Sequence, residues 1–95
     1  MATFYVARSE IITPLPWLTF ALPFSNLGVM YGLGKGVAEN LLISHMWFNI
    51  AASLGNAKGA ENRELVAERL TQPLIAEAQG FARDCIASAY KNCRK

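Results

Sequence analysis

The residues best suited to chemistry in this chain are few and scattered. Ser44 and His45 are adjacent, and Asp84 lies far downstream. Nucleophilic catalysis by Ser, His and Asp needs three side chains that converge in space. Neighbours on a helix project about 100° apart and do not face each other. His45 is therefore read as a half-buried or surface histidine beside an apolar stripe. A metal site needs three or four ligands. The soft donors, His45, Cys85 and Cys93, come from distant positions, and no metal is expected. Glu64 and Glu68 are spaced to share a helix face, as paired acid–base carboxylates do, but Arg63 and Arg69 flank them. That pattern reads as a solvated face.

The stretch Gly32-Leu33-Gly34-Lys35-Gly36 resembles a phosphate loop only superficially. A dinucleotide fingerprint needs a third glycine where Val37 stands, and a strand before it. A P-loop needs Ser or Thr after its lysine, where Gly36 stands. The glycines mark a turn. No catalytic residue and no cofactor is predicted.

The elements that position these residues read as helices. Ile43, Met46, Trp47, Ile50, Ala51 and Leu54 recur at helical spacing and predict a helix over Asn40–Leu54, stopped by Gly55-Asn56. A short helix is expected over Asn26–Tyr31. Another is expected over Ala60–Leu70, with Leu65, Val66 and Leu70 facing inward. Thr71 is a good N-cap for a last helix reaching Tyr90, with Pro73 in its first turn. Its inward face is Ile75, Ala78, Ala82, Cys85, Ile86 and Ala89. No segment after Ser25 alternates with period two, so no sheet is expected.

Composition agrees with one small domain. The chain has 95 residues, 53% hydrophobic and 17% charged, with a net charge of +2. That charge gives no footprint for nucleic acid. The basic tail, Lys91, Arg94 and Lys95, suits a helix C-terminus. A domain this small buries only part of its apolar surface, which favours a partner. Residues 1–25 differ from the rest. Ile11 to Phe24 is a nearly unbroken apolar run, too short to span a membrane and interrupted by Pro14, Pro16 and Pro23. It is read as an extended arm, with a short helix over 17–22, that caps an exposed end of the domain. Membrane contact through it is not favoured. On a continuous helix Cys85 and Cys93 stand about 12 Å apart, so they pair only if the helix ends between them.

One string makes the helical reading specific. Asn26-Leu27-Gly28-Val29-Met30-Tyr31, Gly34-Lys35-Gly36-Val37, Met46-Trp47-Phe48, Ala51-Ala52 and Gly55-Asn56-Ala57 together resemble the Sel-like repeat, a relative of the tetratricopeptide repeat. The resemblance runs ungapped from Asn26 to Ala57. Asn40 stands where the family usually has an acid, Ser44 where it has a small alanine, and Pro23-Phe24-Ser25 where the first helix normally begins. Downstream, Asn62 to Thr71 and Ile75 to Gln79 resemble the closing hairpin of bacterial members.

The resemblance implies an all-α, helix-hairpin repeat fold, an α/α solenoid fragment of about four helices. The arm occupies 1–25, and the repeat with its capping hairpin 26–95. It implies a non-catalytic bacterial adaptor, cytoplasmic or periplasmic, that binds another protein or peptide. Asn26, Met30 and Leu33 are then candidates to face the ligand. A homodimer is also compatible. The alternative is a small membrane-associated or self-associating protein that uses residues 11–24. The cysteine spacing is similar to that of secreted members in which such pairs staple helices. Here Ile86 to Tyr90 lacks their glycine turn, so two free thiols are expected.

Overall fold

A computed structural model of the chain describes residues 16–93, with side chains from Pro23 onward. The first part of the predicted arm and the last two basic residues lie outside the described residues. The fold is all-α. Its elements are α1 (Pro16–Leu33), α2 (Leu41–Ser53), α3 (Ala57–Ala67) and α4 (Gln72–Ala87).

α1 replaces the two short helices predicted at 17–22 and Asn26–Tyr31. It runs through Pro23, although an interior proline costs a helix about 3 kcal/mol. Pro23 is exposed. Phe24, Leu27 and Tyr31 pack against the core cluster built on α2, and that packing carries the helix past the proline. The glycine loop ends α1 as expected. Gly34 and Gly36 adopt positive φ, 73° and 78°. The Gly34 and Lys35 amides donate to the Met30 carbonyl at 2.8 and 2.9 Å, and the Asn40 amide donates to the Tyr31 carbonyl at 2.9 Å.

α2 is capped by Asn40, whose side-chain oxygen accepts from the Ile43 amide at 3.1 Å. Asparagine is among the residues best suited to this capping position. α2 is also the centre of the molecule. Ile43, Met46, Trp47, Ile50 and Ala51 are buried as the stripe predicts, but so are Ser44, His45 and Phe48. α1, α3 and α4 all pack against α2. Its middle, Ile43 to Phe48, is buried on every face, and the prediction of a half-buried or surface His45 is corrected: that residue is 2% exposed.

α1 approaches α2 closely because Gly28 and Gly32 lack side chains. A Cβ on Gly28 would stand 2.6 Å from the Phe48 ring, and one on Gly32 2.9 Å from the Ser44 hydroxyl oxygen. The Ser44 hydroxyl donates to the Gly28 carbonyl at 2.6 Å. The Ser44 side chain thus ties the two helices together.

α3 begins earlier than predicted. Gly55, at φ 98°, stops α2, and Asn56 is reused at once as the N-cap of α3, accepting from the Gly59 amide. Gly59 is the buried residue of α3. A Cβ there would lie 3.0 Å from that of Ala51. Of the predicted inward residues, Val66 and Leu70 are half-buried. Leu65 is 60% exposed and is a correction to the sequence reading.

α4 starts after Thr71, whose hydroxyl accepts from the Leu74 amide at 3.4 Å. It ends at Ala87 and does not reach Tyr90. Ile86 and Ala89, predicted inward, are exposed. Ala89 and Tyr90 adopt left-handed φ values of 56° and 67°, a cost of about 1–2 kcal/mol each. The Tyr90 amide donates to the Cys85 carbonyl at 2.7 Å. The Ser88 hydroxyl accepts from the amides of Lys91 and Asn92. This turn brings the Cα atoms of Cys85 and Cys93 to 4.5 Å, and the two are joined in a disulfide. The expectation of free thiols is corrected: alanine and tyrosine take the conformation for which glycine would be the ordinary choice. The turn also lays Tyr90 on Phe24, ring centroids 5.1 Å apart, and Phe24 stacks on Trp47 at 5.3 Å.

Candidate functional site

Two clefts flank α3. The first lies between α1 and α3. Gly28, Val29, Gly32 and Leu33 form one wall; Asn62, Leu65, Val66 and, just past the helix, Arg69 form the other; Leu41 and Phe48 of α2 lie between. Its volume is about 310 Å³. The same glycines that let α1 approach α2 leave the Phe48 ring as part of its lining. The rims are apolar and open: Leu33 is 66% exposed, Leu65 60% and Val29 37%. Large aliphatic side chains facing each other across a cleft are the informative kind of exposed apolar surface.

The second cleft is polar and has a volume of about 540 Å³. Arg63, Glu64 and Glu68 border it on the α3 side, Gln72, Ile75 and Gln79 on the α4 side, and His45 joins them from α2. His45 Nδ1 is buried without a hydrogen-bond partner. Burial pushes the imidazole pKa below its ordinary value, the Arg63 charge pushes the same way, and Glu64 opposes them. Arg63 itself is engaged: it donates to Glu64 at 3.0 Å and to Asn49 at 2.9 Å.

The structure does not assemble the residues that could form a catalytic triad. Ser44 is bonded to the Gly28 carbonyl, His45 lines the second cleft, and Asp84 lines a separate hollow with Ser88 and Cys93. Both cysteines are oxidised. Among the described residues no group of three or more His, Cys, Asp or Glu could hold a metal ion. Among them, too, no helix is long and apolar enough to cross a membrane.

Of the candidate ligand-facing residues, Leu33 lines the apolar groove. Met30 is half-buried, with its methyl 3.8 Å from where a Gly36 Cβ would stand. Asn26 is exposed on α1. Neither lines the groove. Val29, Leu65, Val66 and Arg69 do line it; none of them is read from the sequence as ligand-facing, and Leu65 and Val66 are read as core. Leu65 carried the periodicity of a core residue, and that signal does not distinguish a core from a cleft rim. No protein-family model, curated protein or solved structure matches the chain.

Proposed function

We propose that this chain is a non-catalytic protein-interaction module of Sel-like repeat type, which holds a peptide segment of another protein between α1 and α3. One observation carries this reading: Leu33 and Leu65, each more than half exposed, face a common apolar groove. Burying such side chains releases roughly 25 cal/mol per Å² of apolar surface, and a segment laid between two helices is a recurrent way to achieve it. The Asn26–Ala57 string supports the repeat assignment and, with it, a role as a bacterial adaptor. Of the two compartments that role allows, the Cys85–Cys93 disulfide favours the periplasm, because disulfides persist in oxidising surroundings.

The test is selection of short random peptides on the full-length chain, followed by affinity measurement against Leu33→Ser/Leu65→Ser. Peptides that lose affinity with the double variant support the reading. A peptide pool indifferent to both leucines refutes it. Both positions are exposed, so the unfolding free energy of the variant, measured in urea, should change by no more than about 0.5 kcal/mol per site.

A further inference from the structure

The groove is apolar apart from two residues, Asn62 and Arg69. Arg69 is exposed. Among the described residues it has no ion-pair partner, unlike Arg63, which is held by Glu64 and Asn49. Among the described residues no carboxylate lines the groove. A guanidinium beside apolar walls is poised for a carboxylate, which it grips with two parallel hydrogen bonds. The volume, about 310 Å³, lies near the lower end of ligand pockets, about 300–1,000 Å³. It has room for a few side chains and not for a whole helix.

We propose that the occupant of the groove is a short acidic-apolar peptide segment of a partner protein. Large apolar side chains sit between Leu33 and Leu65, and a neighbouring Asp or Glu pairs with Arg69. This rests on the reading of the groove as an interaction site and adds the chemistry of the partner. The apolar side chains supply the buried area. The carboxylate sets register and excludes basic segments, as charge complementarity across interfaces does. A second copy of the chain is the competing occupant.

The experiment uses peptides selected on the full-length chain, measured by fluorescence anisotropy against the native chain, Arg69→Glu and Arg83→Glu. Arg83 is exposed on α4 and does not line the groove, so Arg83→Glu makes the same charge change elsewhere. The selected peptides should carry Asp or Glu beside Leu, Phe or a similar residue. Arg69→Glu should weaken them about tenfold or more, the range of a lost charge pair. Replacing the peptide's acid by Lys should restore binding to Arg69→Glu, and Arg83→Glu should bind like the native chain. Peptides that need Leu33 and Leu65 yet show no acidic preference, or that bind Arg69→Glu unchanged, overturn this proposal and leave the groove reading standing. Peptides indifferent to the two leucines overturn both. A full-length dimer that Leu33→Ser/Leu65→Ser dissociates, and that selects no peptide, assigns the groove to a second copy and overturns the peptide.

Discussion

α2 and α3 are neighbours in sequence and opposites in burial. Ile43 to Phe48, Ile50 and Ala51 of α2 are buried, while the one buried residue of α3 is Gly59. Both are capped by an asparagine. The difference is the number of neighbours. α2 is enclosed by α1, α3 and α4, whereas α3 leans chiefly on α2, with a cleft on either side. A helix packed against three neighbours supplies stability. A helix held along one edge offers its flanks to something else. The comparison teaches that two consecutive helices joined by the close Gly59–Ala51 approach differ in burial through their number of neighbours; on the proposed reading, the enclosed one supplies stability and the open one recognition.

The sharpest way to break the comparison is to empty α2. Trp47 is 5% exposed and stacked on Phe24. Trp47→Ala should cost about 3–5 kcal/mol, read from the urea midpoint. A near-native midpoint would mean that α2 is not the hub. Next is the seam between α1 and α2. The Cβ of Gly28→Ala meets the Phe48 ring at 2.6 Å, so overpacking should cost about 1–3 kcal/mol. A neutral effect by thermal melting would show that the ring can move aside.

A smaller effect should come from the boundary between the two helices. The folded-state pKa of His45 lies below its ordinary 6.5 because of burial and Arg63. At pH values below 6.5 the unfolded chain binds this proton more readily than the folded one. Stability should therefore be level above that pH and fall as pH drops through the depressed folded pKa. The slope is at most about 1.4 kcal/mol per pH unit. Urea midpoints taken across this window should show the fall, and His45→Gln should remove that part of it. An equal pH dependence in His45→Gln would show that His45 is not its source.

Much of the helical plan is readable from residues alone. Asn40, Gly55 and Thr71 mark ends that the structure uses, and the Ile43–Ala51 stripe identifies the core helix. Periodicity reports which face is apolar but not how many neighbours a helix has. It could not reveal that Ser44, His45 and Phe48 are buried as well, nor that Leu65 faces open space. The turn after α4 escaped because Ala89 and Tyr90 adopt a conformation that local propensity disfavours, held by Ser88 and the disulfide. Pro23 in α1 is the same kind of override, made by the packing of Phe24 and Leu27. Of the groove lining, Leu33 is the one residue that the sequence also offers as ligand-facing. The rest depends on how α1 and α3 are set across α2, which no single segment encodes.

The division of labour between α2 and α3 is tested most directly by amide hydrogen exchange, with and without a groove-selected peptide. The account predicts that amides of α2 from Met46 to Ile50 are the most protected in both states. The peptide should slow exchange in α3 and at the C-terminal end of α1, around Val29 to Leu33. New protection confined to α4 and the His45 cleft, or α2 amides exchanging as fast as those of α3, would contradict it.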